Sequence, residues 1–157
     1  MPLFLLLSCS EKEWVEAPPP AELTRDAIGY FCQMMVVEHT GPKGQVMLAD
    51  REEPLWFVSV RDTIVFTMLP GEPKNISAIY VTDIGRANWD NPEPGTWLDA
   101  REAWYVINSD RIGGMGAPEI VPFGTKEDAE HFISSHGGAM VAFDAIPREE
   151  LVQATVR

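Results

Sequence analysis

Cysteine is scarce in this chain, with only Cys9 and Cys32 among 157 residues. Two cysteines do not build a disulfide scaffold for a chain of this length. Positive charge is scarce as well: 12 Lys and Arg stand against 24 Asp and Glu, a formal net charge of −12. A nucleic-acid binder needs clustered Lys and Arg to displace phosphate counterions, so that class is excluded. Metal ions and basic protein faces fit the balance better, although acid in excess also serves plain solubility. No apolar run reaches the roughly 20 residues that a membrane-spanning helix needs. No P-loop is present, and the glycine cluster Gly113-Gly114-Met115-Gly116 lacks the strand–loop–helix unit of a dinucleotide fingerprint. His131 and His136 do not have the i, i+4 spacing of a two-histidine helical zinc site. What is present is the composition of a packed domain, 45% hydrophobic and 23% charged, enough to build a core.

The chain starts with an apolar run that ends in Leu6-Leu7-Ser8-Cys9, and charge begins at Glu11. This resembles the lipobox of bacterial lipoproteins, in which a small residue precedes a Cys that becomes lipidated. No Lys or Arg precedes the run, and Leu7 is bulkier than is usual at its place, so the pattern departs from a full signal peptide. The expectation is a lipoprotein signal remnant over 1–9 with Cys9 as the lipidated residue. Pro18, Pro19 and Pro20 follow among Glu11, Glu13, Glu16 and Glu22. Proline fixes φ and lacks the backbone donor, which predicts an extended acidic tether over 10–29. With Cys9 anchored, Cys32 is the one free thiol of the mature chain.

From Tyr30 onward, short apolar runs alternate with Gly/Pro turns. Strands are expected at 31–38, 45–49 and 76–81, with a helix from 59 or 60 to 69 stopped by Pro70-Gly71. In the second half, 96–98, 104–108 and 120–123 precede a helix near 125–136, and the strand 140–143 follows it. Phe57, Ser59, Asp62, Phe66 and Gly71 match Phe123, Thr125, Asp128, Phe132 and Gly137 at a constant offset of 66. Ser59 and Thr125 are natural N-caps, and an acid at the third helical position complements the helix dipole. Shared capping chemistry alone could produce much of that match. The fold class is therefore α+β: a ββαβ module over 30–90 and a second over 91–157, each too small to bury a core alone and so packed together.

Three features could carry chemistry. Cys32 and Met34, two apart on an expected strand, project from one face, and a thiolate with a thioether is a soft donor pair that favours Cu(I). Met115, enclosed by glycines, is poorly placed for a core and could swing a thioether to a site built elsewhere. His39 is the histidine best placed as a further ligand, whereas His136 precedes Gly137 and can serve a helix C-terminus. Each feature has an ordinary alternative: methionine as core filler, an exposed residue on a turn, a structural histidine. Arg61 with Asp62, and Asp99 with Arg101, read as structural ion pairs.

Taken together, Phe31-Cys32-Gln33-Met34, the block from Glu38 through His39-Thr40-Gly41-Pro42-Lys43-Gly44 to Gln45, Trp56-Phe57-Val58-Ser59-Val60-Arg61-Asp62, Gly95-Thr96-Trp97-Leu98-Asp99 and Gly113-Gly114-Met115-Gly116 resemble the NosL family, accessory lipoproteins of nitrous oxide reductase. The resemblance runs from Tyr30 to Pro147. It implies a periplasmic, membrane-anchored Cu(I) chaperone, not an enzyme, that supports assembly of the reductase's copper-sulfide centre. The implied partners are nitrous oxide reductase and its ABC-type maturation complex. It also implies two similar ββαβ modules in a fold shared with organomercurial lyases. The family's thiol–thioether pattern falls on Cys32 and Met34, and its glycine-flanked methionine on Met115. His39 lies in a family block, and its role as a ligand is our reading; a second metal such as zinc stays open. The rival is a thiol-dependent lyase-like enzyme on the same fold, whose chemistry needs a second thiol and an acid. A third reading is a copper-free assembly scaffold.

Overall fold

The computed structural model describes residues 16–152. Cys9 and its apolar leader lie outside the described residues.

Among the described residues, seven strands form two antiparallel sheets, accompanied by three α-helices. In the first half, β1 (Gly44–Leu48) and β2 (Leu55–Phe57) precede helix α1 (Val60–Met68) and β3 (Ile76–Thr82). β4 (Trp97–Asp99) then joins the same sheet, in the order β2-β1-β3-β4. The second half holds β5 (Trp104–Ile107), β6 (Val121–Phe123), α2 (Lys126–His136) and β7 (Ala139–Ala142), in the sheet order β6-β5-β7. A short α3 (Arg148–Val152) closes the described chain. Both halves thus run strand, strand, helix, strand, with the first strand in the middle. Gly44 pairs with Phe57 and Val81, and Trp104 takes the same place between Phe123 and Ala142.

Local chemistry starts both helices in the same way. Ser59 is extended at φ −139°, and its hydroxyl accepts from the Asp62 amide at 3.1 Å. Thr125 accepts from the Asp128 amide at 3.2 Å, and its hydroxyl donates to the Asp128 carboxylate at 2.7 Å. Each cap satisfies an otherwise orphaned N–H. Pro70 cannot continue α1. Gly137, at φ +69°, ends α2 while its amide still reaches the Ile133 carbonyl.

The two sheets share one core. Val46, Leu48, Phe57, Ile64, Phe66, Ile79 and Val81 from the first half pack in one cluster with Tyr105, Ile107 and Ile120 from the second. β5 alternates: Tyr105 and Ile107 join that cluster, whereas Trp104 and Val106 belong to a smaller core with Phe123, Ala129 and Phe132 beneath α2. Asp83 ties the halves at their edge. Its carboxylate accepts from the amides of Gly85 and Gly124 and pairs with Arg86 at 2.9 Å.

Three expectations change. The run 31–38 is not a strand. The chain makes a tight turn between the bridged residues Ile28 and Met35 and enters a short 3-10 turn at Val36–Glu38. Gln33 sits in that turn at φ +57°, which no extended strand tolerates. Next, β4 pairs with β3 and extends the first sheet instead of serving the second. Finally, the proline-rich segment is docked from Pro18 onward. The Gln45 side chain bonds both backbone groups of Ala21 at 2.9 Å, and the Tyr80 hydroxyl donates to the Pro18 carbonyl at 2.6 Å.

Candidate metal site

Cys32 lies within the turn that follows Gly29. Its Sγ occupies the space over the Gly29 α-carbon, 2.5 Å from where a Cβ would stand, so a side chain at 29 would push the thiol aside. The turn is held by the Gly29 amide on the Met34 carbonyl and the Gln33 amide on the Gly29 carbonyl, each at 2.9 Å. Beneath it, Ala27, Val36 and Val58 form a small buried cluster against which half-buried Cys32 packs. Met34 stays 39% exposed at the surface. Cys32 and Met34 are therefore placed by one turn, not by one strand face.

Met115 projects from a short hairpin. Ile112 bridges Pro118, the Gly113 amide reaches the Ala117 carbonyl at 2.8 Å, and the Gly116 amide reaches the Gly113 carbonyl at 3.0 Å. The hairpin rests on the segment that follows Cys32. His39 Nδ1 is 3.1 Å from the Gly114 carbonyl oxygen. Gly114 approaches so closely that a Cβ would stand 2.6 Å from the Thr40 carbonyl oxygen. Met115 is 42% exposed and lines a cavity of about 200 Å³ with Ser59, Arg61, Asp62 and Glu119. Ser59 directly follows Val58, the residue beneath Cys32. Folding thus joins the segment of Cys32, Met34 and His39 to the loop of Met115, with His39 and Gly114 as the point of contact. A larger groove of about 510 Å³ along Glu22, Asp26, Gln33 and Trp56 has none of Cys32, Met34, His39 and Met115 in its wall.

Among the described residues no three His, Cys, Asp or Glu side chains come together to hold a metal ion. A site of three or more side chains here would have to draw on the thioethers, and sulfur-rich donor sets suit Cu(I). His131 and His136 lie elsewhere, along α2. His136 pairs with Asp110 at 2.8 Å and stacks on Phe132, a structural role. Nor do the expected charge pairs form as read. Arg61 donates from Nε and Nη2 to the Pro118 carbonyl at 3.0 and 2.6 Å, and the Asp99 carboxylate accepts from the Arg101 backbone amide.

Sequence reasoning missed the charges buried beneath the loop. Lys43 is 1% exposed and donates to the carbonyls of Thr40 and Gly41, each at 2.8 Å, and of Val58 at 3.5 Å. Glu119 is 2% exposed and accepts from the amides of Arg61 and Ile120. Burial pushes the Glu119 carboxyl up to about 7, opposed by those amides and by the charges of Arg61 and Lys43. Burial likewise lowers the Lys43 ammonium to about 8, opposed by Glu119. An acid immediately before the apolar run Ile120-Val121 was the available signal for Glu119.

A family model described as NosL matches residues 20–151 of the chain. The copper-binding lipoprotein NosL of Achromobacter cycloclastes is 41% identical over 139 residues, covering 87% of this chain and 72% of that protein. The protein of the same name from Stutzerimonas stutzeri is 30% identical over 152 residues, covering 96% of this chain and 78% of that protein. The crystal structure of the copper chaperone NosL from Shewanella denitrificans superposes with a TM-score of 0.78 at 32% identity, covering 84% of this chain and 99% of that one. These relatives are named as copper-binding proteins and chaperones, not as enzymes.

Proposed function

We propose, from the premise that this chain belongs to the NosL family, that it is a Cu(I) carrier built on Cys32, Met34, Met115 and His39. The observation that carries the reading is the contact of His39 with Gly114, which brings a glycine-borne thioether onto the segment of the thiol. Its hydrogen bond also prepares the imidazole. A carbonyl oxygen only accepts, so Nδ1 carries the hydrogen and the neutral ring leaves its lone pair on Nε2. Ligating histidines commonly donate their other ring N–H to a backbone carbonyl in this way.

The cargo is exchangeable by construction. Met34 and Met115 are both about two-fifths exposed, so a receiver can reach the metal, unlike a closed structural site. The thiolate supplies charge and the thioethers supply soft donors that a competing ligand can replace. Exposed large side chains crowd the same two segments: Ile28, Phe31, Met35 and Val37 on one, Ile112 on the other. Apolar exposure of this kind marks a face that meets a partner.

The finer reading is a periplasmic chaperone anchored through lipid on Cys9. It serves assembly of the copper-sulfide centre of nitrous oxide reductase, with the reductase and its ABC-type maturation complex as receivers. The paired ββαβ order supports kinship with the organomercurial lyase-like fold. Lyase chemistry, which needs a second thiol, finds no such partner among the described residues, where Cys32 is the only cysteine. The test is an anaerobic Cu(I) titration of the reduced protein against a chromophoric chelator, with Cys32→Ser beside the parent. Tight binding by the parent and its loss in the variant supports the reading; equal binding by both sinks it.

A further inference from the structure

We infer that Glu119, together with Lys43, is a positioning residue that locks the Met115 hairpin onto the Cys32–His39 segment in the geometry that takes the metal. The inference rests on the copper reading above, and it names the part of the chain that sets the site's shape. Three charged side chains are buried beneath the hairpin: Lys43 at 1%, Glu119 at 2% and Arg61 at 6% exposure. Buried charge is costly unless paired and hydrogen-bonded, and well-packed apolar residues usually serve stability as well or better. These charges serve geometry, because their bonds converge on the segments that carry the donors.

Lys43 spends its ammonium on carbonyls of two segments. Thr40 and Gly41 directly follow His39, and Val58 underlies Cys32. Glu119 and Arg61 hold the base of the hairpin. The Arg61 guanidinium grips the Pro118 carbonyl, and Glu119 Oε1 receives the Arg61 and Ile120 amides at 3.3 and 2.9 Å. Glu119 Oε2 reaches under the hairpin to within 2.6 Å of where a Gly113 Cβ would stand. That oxygen and Arg61 Nη1 are buried without a protein partner among the described residues, and both side chains line the cavity that Met115 lines. Lys43 thereby fixes Thr40, on whose carbonyl Gly114 of the hairpin packs. The hairpin is thus seated from two sides, through Lys43 and Thr40 on the His39 segment and through Glu119 and Arg61 at its base.

Glu119→Gln keeps the size and both amide bonds while removing the charge that the parent carries above about pH 7. The comparison is therefore made at pH 8, and this variant spares the fold better than Lys43→Met. Two measurements on the full chain decide the matter. The first needs no metal: amide hydrogen exchange at Gly113 and Gly116, whose N–H groups close the hairpin. Glu119→Gln is expected to speed exchange there roughly tenfold, while strands β1 and β3 stay protected. Unchanged exchange at both glycines overturns the inference, whatever the protein does with copper. The second is a double-mutant cycle on Cu(I) affinity with Met115→Leu. If Glu119 acts by placing Met115, Glu119→Gln weakens binding by roughly tenfold and the double variant is no weaker than either single one. Independent, multiplying losses assign Glu119 a merely structural role. A parent that binds no Cu(I), or a Cys32→Ser variant that binds like it, defeats the copper reading instead and leaves the exchange result to judge the positioning.

Discussion

The His39 imidazole holds the Gly114 carbonyl at 3.1 Å across 75 residues of sequence. One hydrogen bond thereby sets the ring's tautomer and fixes the distance between two parts of the chain that carry soft donors. Neither residue is informative alone. A histidine in a turn and a glycine in a loop meet only because the second half of the chain packs on the first around one core.

The donors should contribute unequally. A thiolate brings charge to Cu(I), whereas each thioether is neutral and replaceable. Cys32→Ser is expected to lose more than the roughly 10–100-fold that removing an outer-shell partner costs. Met34→Leu and Met115→Leu should each lose less. Because the thiol surrenders a proton on binding, parent affinity should rise with pH, and the methionine variants should keep that rise while Cys32→Ser abolishes it. Chelator competition at several pH values reads all four proteins.

Close packing at Gly114 gives a sharper test of the hairpin's seat. An alanine Cβ there would stand 2.6 Å from the Thr40 carbonyl oxygen and 2.7 Å from His39 Cβ. Backbone cannot swing aside as a side-chain tip can, so Gly114→Ala should lift the hairpin and cost about 1–3 kcal/mol, the usual range for overpacking. Gly71→Ala, with open space around it, should be neutral or slightly stabilising. Denaturant unfolding of the two variants side by side measures the difference.

Sequence and structure agree where local chemistry decides. The caps at Ser59 and Thr125, the stop at Pro70 and the apolar run of β3 each act within a few residues, and the helices lie where those signals place them. The segment 31–38 misleads because its apolar residues suit a strand, while the positive φ of Gln33 makes it a turn that buries Val36 and leaves Phe31, Met34, Met35 and Val37 exposed. Pairing partners are equally hidden: only the folded sheet shows that β4 belongs beside β3. Buried charge was hardest to read. Lys43 and Glu119 look like solvated residues in one dimension, and their burial follows from contacts spanning the whole chain.

The docked proline segment should be separable from the site. Gln45 is fully buried and bonds Ala21 through both ends of its amide, and Tyr80 anchors Pro18. Gln45→Ala combined with Tyr80→Phe is expected to free the chain ahead of Ala27 and open Arg25 to trypsin. Copper affinity should hardly move, since none of the four candidate donors lies on that stretch. Cleavage at Arg25 no faster than in the parent would show that other contacts hold the segment.

The buried pair also leaves a mark on stability. In the folded chain Glu119 titrates near 7 rather than its ordinary 4.5. Between those values the folded protein keeps a proton that the unfolded chain has lost, so this group's contribution falls as pH rises and is gone above about 7. Lys43 runs the other way: with its folded value near 8 against 10.5, the unfolded chain holds the extra proton in that window, and stability recovers as pH climbs through it. Arg61 and Asp62 face the same cavity and stay common to parent and variant, so the informative quantity is a difference. Glu119→Gln cannot ionise. Relative to the parent it should gain stability steadily from about pH 4.5 to 7 and stop gaining there. Urea unfolding at half-unit pH steps measures that difference, and a flat one would mean that Glu119 ionises as freely in the folded chain as in the unfolded one.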